Sequence, residues 1–239
     1  MMKNKKSGLR IAAAVLLCMV LGCGIYAADY YRAVETGEDW PETVVVETSG
    51  DRMVFLPEEA SAGLVFYPGG KVEFTAYAPL MARLAEKNIL CVLLKMPLNL
   101  VVLDVNAAAD IPEEFPEVEH WYLAGHSLGG SMAASFAAKN TDTYDGLILL
   151  AAYSTEDLTQ SGLKVCSLYG DRDGVLNMEK HEQYRPNLPE NTLERVLEGG
   201  NHADFGCYGH QEGDGESALE LGVQLQWSAD TILEFIKNG

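Results

Sequence analysis

The feature that most constrains this 239-residue chain is one short turn, Gly-His-Ser-Leu-Gly at residues 125–129. A strand-like run at 120–123 leads into it, and small residues with helical character follow at 131–138. A serine between strand and helix, here Ser127, is held in a strained backbone conformation with its hydroxyl exposed. The flanking glycines are needed because strand and helix approach too closely for a Cβ. The N-terminus of the helix directs free backbone N–H groups at any oxyanion that forms there.

Length and charge limit the class of protein. The formal net charge is −18, and the first 28 residues contain four basic residues and no acidic ones, so the remainder is more acidic still. A surface this acidic repels nucleic acid, which excludes DNA and RNA as main partners. The length suits one α/β domain, expected at residues 42–239 after a linker at 29–41.

Residues 1–28 have the character of a targeting segment. The uncharged run at 11–28 is 18 residues long, enough to cross a bilayer as a helix. Basic residues before it predict that this end stays in the cytoplasm and that the folded domain lies outside. We expect a retained single-pass anchor in the cell membrane. The alternatives are cleavage near Ala27 and Ala28, which gives a secreted protein, or lipid attachment at Cys23.

Apolar runs alternate with helical patterns along the rest of the chain. Strands are predicted at 43–48, 52–56, 63–67, 89–94, 120–123, 147–151, 164–169 and 192–197, the first two as a hairpin. Helices are predicted at 77–87, 100–109, 131–138, 177–184 and 219–236. This alternation indicates a mostly parallel sheet covered by helices on both faces. In such sheets, ligand sites form at the carboxyl ends of the strands.

Chemically capable residues follow three of the predicted strands. Ser127 follows the first, Gly-Asp-Arg-Asp-Gly at 170–174 the second, and His202 the third. Serine, acid and histidine therefore occur in the order required for nucleophilic catalysis on a sheet of this kind. The pattern alone leaves Asp171 and Asp173 open as the acid.

The motifs together resemble those of the α/β-hydrolase family. They are Tyr-Pro-Gly-Gly at 67–70, Gly-His-Ser-Leu-Gly-Gly at 125–130, Gly-Asp-Arg-Asp at 170–173 and Gly-Asn-His at 200–202. The resemblance covers residues 62–239 and is strongest to compact members related to dienelactone hydrolases, including membrane-anchored bacterial forms. It implies the α/β-hydrolase fold. The dienelactone hydrolases proper carry a cysteine where this chain has Ser127, so the dienelactone substrate does not carry over.

The resemblance implies a role for each catalytic candidate. Ser127 is the expected nucleophile, and His202 takes its proton because free serine is a poor nucleophile. Asp173 is favoured over Asp171 as the acid that orients the imidazole, since Asp171 also suits a turn. His126 is expected to support the turn rather than to react.

An oxyanion hole is expected beside Ser127. Leu128 supplies one backbone N–H as the residue after the nucleophile. By the family pattern, the second donor is Gly69, with Gly70 next to it. Neither a metal nor a cofactor is expected, because no His-Glu-x-x-His motif or calcium-loop spacing occurs.

The surroundings of the site suggest how substrate enters. The connection after the strand at 147–151 is too short for a helical cap, so no large cap domain is expected. Any roof would come from residues 96–116 and 203–217. Lys71 and Lys95 are candidate contacts for an anionic or polar substrate, and Tyr153 is a further candidate contact.

Hydrolysis of a small carboxylic ester or related acyl compound is therefore the expected function. Two alternatives remain. The chain is a membrane-tethered binding protein that kept a hydrolase scaffold, or it transfers acyl groups to an acceptor other than water with the same residues.

Overall fold

The computed structural model describes residues 29–34, 41 and 43–238, together with the isolated Gly22 and Gly24. The chain divides into two units, Met1–Tyr30 and Tyr31–Gly239, and the fold below is that of the second. Within these described ranges, no helix has the length and apolar character needed to cross a bilayer. The membrane-spanning prediction at 11–28 falls, apart from the two glycines, outside the described residues.

Eight strands form one sheet in the order β1-β2-β4-β3-β5-β6-β7-β8. The strands are β1 (Val45–Thr48), β2 (Arg52–Leu56), β3 (Ala62–Tyr67), β4 (Ile89–Leu94), β5 (Trp121–His126), β6 (Gly146–Leu150), β7 (Lys164–Gly170) and β8 (Leu193–Leu197). The pairs β1–β2 and β2–β4 are antiparallel, and all pairs from β4 to β8 are parallel. The prediction of a mostly parallel sheet that begins with a hairpin is confirmed.

Helices cover both faces because alternate side chains of each strand point to opposite sides. In β3, Leu64 and Phe66 belong to one buried cluster, and Val65 and Tyr67 belong to the other. Two helices pack into the first cluster, α1 (Ala78–Ala85) and α5 (Leu221–Asn238). Helix α3 (Leu128–Ala137) packs into the second. The remaining helices are the short α2 (Ile111–Glu114) and α4 (Met178–Tyr184).

The helix predicted at 100–109 is wrong. Only a 3-10 turn forms there, at Val101–Leu103. Valines are stiff at χ1, and Asp104 and Asn106 compete for backbone hydrogen bonds, so the segment favours helix weakly. Two carbonyl groups of this segment are instead hydrogen-bonded to the hydroxyls of buried tyrosines. Tyr67 Oη donates to Val105 O at 2.8 Å, and Tyr144 Oη donates to Ala108 O at 2.7 Å.

The connection between β6 and β7 is short and has no regular structure. Residues 151–163, all of them described, contain no helix, so no helical cap is built from this connection. The carboxyl ends of β5, β6, β7 and β8 meet at one edge of the sheet, as the paired positions His126 with Leu150 and Gly170 with Leu197 show. Residues that follow different strands are thereby brought together.

Candidate active site

Ser127 lies at the sharp turn between β5 and α3. Its backbone has φ 53° and ψ −124°, a left-handed value of φ that is uncommon for a residue with a Cβ. The backbone N–H of Ser127 donates to Leu150 O of the neighbouring strand at 2.9 Å, which ties the turn to the sheet edge. The strained turn predicted from the Gly-x-Ser-x-Gly spacing is present.

Two glycines of the turn are required by close backbone contacts. A Cβ on Gly125 would lie 2.6 Å from the carbonyl carbon of Gly129. A Cβ on Gly129 would lie 2.3 Å from the carbonyl oxygens of both Tyr67 and Pro68. Real Cβ atoms do not approach backbone atoms this closely, so helix α3 reaches the sheet only because these positions lack side chains.

The side chains of Asp173 and His202 form a buried pair. Oδ2 of Asp173 lies 2.8 Å from Nδ1 of His202, and each side chain is 1% exposed. Oδ1 of Asp173 accepts the backbone N–H groups of Val175 and Leu176 at 2.8 and 2.7 Å. Because a carboxylate only accepts, Nδ1 of His202 is the donor, and in the neutral imidazole this leaves the lone pair on Nε2. Nε2 is buried and has no hydrogen-bond partner among the described residues.

Asp171 has a different task from Asp173. Its Oδ1 accepts the backbone N–H of Gly199 at 2.7 Å, which fastens the turn after β7 to the turn after β8. The structure therefore brings Asp173, and not Asp171, to the imidazole of His202.

Of the expected oxyanion donors, Gly69 is already engaged. Its N–H donates to Tyr77 Oη at 3.1 Å. Among the described residues, the N–H of Gly70 has no backbone hydrogen bond outside helices and strands, and a Cβ on Gly70 would lie 2.9 Å from the Leu128 side chain. Leu128 opens helix α3, where backbone N–H groups lack partners within the helix. Gly70 therefore lies against the Leu128 side chain, and Leu128 lines the cavity beside Ser127, whereas neither Gly69 nor Gly70 does.

A buried chain of hydrogen bonds runs from this turn to His202. Tyr77 Oη accepts from Gly69 N and donates to His126 Nδ1 at 2.8 Å, and His126 Nε2 donates to His202 O at 3.1 Å. Burial, together with the His202 ring, holds the pKa of His126 well below its usual value, so the ring is neutral. The sequence indicated a supporting role for His126, but nothing in it singled out Tyr77 from other core aromatic residues.

A cavity of about 190 Å³ opens beside Ser127 and His202. Its other lining residues come from α3, from the segment after β6 and from the segment after Asp173. They are Leu128, Ser131, Ala151, Ala152, Tyr153, Val175, Leu176 and Asn177. Tyr153 therefore lines the cavity, and its ring is stacked on that of Tyr184 with the ring centroids 5.6 Å apart.

Several expected contributors do not line this cavity. Lys71 and Lys95 are absent from its walls, and Lys95 Nζ lies 5.8 Å from the centroid of the Phe74 ring. Neither residues 96–116 nor 203–217 form its roof. A larger cavity of about 420 Å³ lies between α4 and β8. It touches neither Ser127 nor His202, so the smaller cavity is the one with reactive groups.

The described part of the chain contains no cluster of three or more His, Cys, Asp or Glu side chains arranged to hold a metal ion. What it does contain, at the carboxyl edge of a mostly parallel sheet, is a strained serine turn followed in the chain by a buried acid–histidine pair. Sheet and turn together define the α/β-hydrolase class of folds.

Comparison with known sequences gives the family. The sequence profile of the Alpha/beta hydrolase family matches residues 63–226, and the chain belongs to this family. No curated protein matches the sequence significantly.

Several solved structures share the fold. TT1662 from Thermus thermophilus is 17% identical with a TM-score of 0.60, and the match covers 82% of this chain and 97% of that one. Est1E from Butyrivibrio proteoclasticus is 17% identical with a TM-score of 0.56, covering 82% and 100% of the two chains. MGS-MChE2, an alpha/beta hydrolase enzyme from the metagenome of lagoon sediments at Mar Chica, Morocco, is 15% identical with a TM-score of 0.59, covering 81% and 98%. At these identities the likeness concerns the fold, and these neighbours include hydrolases.

Proposed function

We propose that this hydrolase cleaves small carboxylic esters through a Ser127–His202–Asp173 triad and an acyl-enzyme. The observation that carries the proposal is the buried Nε2 of His202. His202 lines the same cavity as Ser127. Its Nε2 is unpartnered among the described residues, while Asp173 fixes the opposite nitrogen. An unpaired buried acceptor is costly, and a serine hydroxyl is the group that would use it.

The proposed reaction has two halves. In the first, Oγ of Ser127 attacks the ester carbonyl carbon while its proton passes to Nε2 of His202, and the oxyanion accepts from the N–H groups of Gly70 and Leu128. Collapse breaks the C–O bond, and His202 returns the proton to the leaving alcohol. In the second half, water adds its oxygen to the acyl carbon and gives a proton to His202. The bond from the acyl carbon to Oγ then breaks, His202 returns the proton to Oγ of Ser127, and the carboxylic acid leaves. Nε2 of His202 has no hydrogen-bond partner among the described residues, so the bond from Oγ of Ser127 to Nε2 is expected to form when substrate binds.

The cavity supports small, uncharged substrates. Its volume of about 190 Å³ is below the range of roughly 300–1,000 Å³ that suits drug-sized ligands. Alanine, valine and leucine form much of its wall, and no lysine, arginine or carboxylate lines it. A chain with net charge −18 also repels anions. We therefore propose a neutral ester with a short acyl chain as substrate, rather than the anionic substrate that Lys71 and Lys95 suggest.

The finer classification rests on sequence patterns. We propose that the domain at 42–239 is a serine variant of the compact dienelactone-hydrolase-like branch. We further propose that residues 1–28 anchor it by a single span, through a linker at 29–41, on the extracytoplasmic side of the cell membrane. Protease protection in intact spheroplasts tests this placement, because an externally added protease should digest the domain.

Removal of the nucleophile tests the proposed chemistry. Ser127→Ala should lose labelling by a fluorophosphonate probe and p-nitrophenyl acetate hydrolysis. Ser131→Ala is the matched control. It also removes a serine hydroxyl from the wall of the cavity, but that hydroxyl donates to Tyr153 O at 2.8 Å. We expect His202→Ala to be similarly inactive, by several orders of magnitude in kcat, whereas the exposed His210 should be replaceable by Ala.

The outcomes separate the alternatives. A wild-type protein that is neither labelled nor active supports the binding scaffold. Hydrolysis that persists in Ser127→Ala would show that Ser127 is not the nucleophile. Products that partition toward an added alcohol indicate acyl transfer. A panel of neutral p-nitrophenyl esters from acetate to decanoate, with a carboxylate-bearing ester beside it, tests the substrate class. Equal rates across the panel would contradict the proposed preference for small neutral esters.

A further inference from the structure

The turn at residues 211–216 packs directly on the loop that carries Asp173. A Cβ on Gly215 would lie 2.0 Å from Arg172 O, and a Cβ on Gly174 would lie 2.3 Å from Gly213 O. Neither contact leaves room for a side chain, so the two backbones touch. The sequence predicts that any roof over the site includes this region, but its contacts are with the loop that carries Asp173.

The carboxylate of Asp214 lies between the loop that carries Asp173 and the loop that carries His202. Its Oδ1 accepts the backbone N–H groups of Gly174 at 3.1 Å and His202 at 3.2 Å. Its Oδ2 accepts the N–H of Ala203 at 2.8 Å. Oδ1 also accepts the N–H of the adjacent Gly215 at 2.9 Å, which fixes the carboxylate within its own turn.

These donors are the immediate neighbours of the reactive pair. Gly174 follows Asp173 in the chain, and the other two donors are His202 itself and the residue after it. The Asp214 carboxylate therefore sets the spacing of the two backbone segments that carry Asp173 and His202, whose side chains lie 2.8 Å apart. Hydrogen bonds from backbone N–H groups to a carboxylate are among the stronger ones in proteins, so this connection resists relative motion of the loops.

We propose that Asp214 is a positioning residue that holds the Asp173 loop and the His202 loop in register for catalysis. The inference rests on the proposed function. Asp214 does not line the cavity, and its effect passes through the Asp173–His202 pair. A displacement of about 1 Å in such a pair is enough to slow catalysis by about 100-fold.

Two substitutions of graded severity test the proposal in the full chain. Asp214→Asn keeps one acceptor oxygen and turns an NH₂ group toward at least one backbone N–H. Asp214→Ala removes all acceptors. We expect kcat for p-nitrophenyl acetate to fall about 10-fold in the first and about 100-fold in the second, with KM changed less than about 3-fold. Glu212→Gln is the matched control, because it removes one negative charge from an exposed side chain of the same turn.

Rates must be expressed per active site, titrated with the fluorophosphonate probe. Misfolded protein then lowers the number of sites and leaves kcat per site unchanged, so a structural defect is separated from slower chemistry. If Asp214→Ala yields no titratable sites, Asp214→Asn decides alone, since it keeps most of the bonds.

A double variant distinguishes positioning from an independent effect. If Asp214 acts through the pair, adding Asp214→Asn to Asp173→Asn should slow the reaction by no more than about 2-fold further. A full additional 10-fold loss in the Asp173→Asn background overturns the proposal, as does an unchanged kcat per site in the single variants. Absence of activity in the wild type would instead refute the proposed function and is recognised before any variant is compared.

Discussion

Replacing Tyr77 with Phe removes one oxygen from the centre of the buried chain that joins the turn after β3 to His202. That oxygen accepts the N–H of Gly69 at 3.1 Å and gives its hydrogen to Nδ1 of His126 at 2.8 Å. The direction is fixed, because Gly69 N only donates and His126 Nε2 donates to His202 O. Burial raises the pKa of Tyr77, so the hydroxyl keeps its hydrogen.

The expected cost follows from the groups left behind. Tyr77 is 0% exposed and His126 is 1% exposed, so neither lost bond is readily replaced by solvent. Each buried donor or acceptor without a partner costs about 1–3 kcal/mol. Two such groups give an expected loss of about 2–6 kcal/mol in the free energy of unfolding. Domains are typically stable by about 5–15 kcal/mol, so a variant of a domain of average stability remains folded at 25 °C.

Urea unfolding followed by circular dichroism measures this loss. Tyr122→Phe is the matched control, because it also removes one hydroxyl, whose bond to Ile236 O is long at 3.5 Å. We expect the control to lose less than about 0.5 kcal/mol, as a bond of that length is weak. Both variants should unfold with the wild-type dependence on urea, which makes the midpoints directly comparable.

Equal midpoints for Tyr77→Phe and Tyr122→Phe would refute the hydrogen-bond chain.

Three further predictions follow from the site. Asp173→Asn should lower kcat/KM for p-nitrophenyl acetate by about 10³–10⁴-fold, whereas Asp171→Asn should stay within about 10-fold, since Asp171 only fastens the loop. Gly129→Ala should give little soluble protein, because the Cβ would lie 2.3 Å from two carbonyl oxygens, while Gly50→Ala, with nothing within 4 Å, should match the wild type in yield and melting temperature. Burial and the neighbouring histidine hold the pKa of His126 low, so the unfolded chain takes up a proton below about pH 6.5 that the folded protein does not. Stability should then fall by about 1.4 kcal/mol per pH unit below that value, and urea midpoints at pH 7.5 and 5.5 should show a smaller fall in His126→Gln.

The sheet was predictable because its strands are buried on both faces. Such strands appear as short apolar runs bounded by turn residues, and β3, β4 and β6 have this form in the sequence. The segment at 100–109 was not predictable in the same way. Its conformation depends on hydroxyls from Tyr67 and Tyr144, which lie more than 30 residues away in the chain.

The same distinction between local pattern and distant contacts applies to the site. The meeting of Asp173 with His202 follows from topology, since each residue lies just past the end of one of two paired parallel strands. The contributions of Tyr77 and Asp214 depend on how loops fold back on each other, and the 3.6- and 2-residue periods carry no information about this. The glycines on either side of Asp214 were the one available signal, because they allow the close backbone contact that the structure shows.

Positive backbone φ angles concentrate at one edge of the sheet. Six described non-glycine residues have positive φ, and five of them follow four adjacent parallel strands. They are Lys71 after β3, Leu98 and Asn99 after β4, Ser127 after β5 and Ala151 after β6. Such conformations cost about 1–3 kcal/mol each and persist only where surrounding contacts impose them. Ser127 and Ala151 both line the cavity, and Lys71 N donates to Asn99 O at 2.7 Å beside the expected oxyanion donors. Because an edge with only a packing role would gain stability by relaxing, the concentration of strain there is consistent with the catalytic role proposed above.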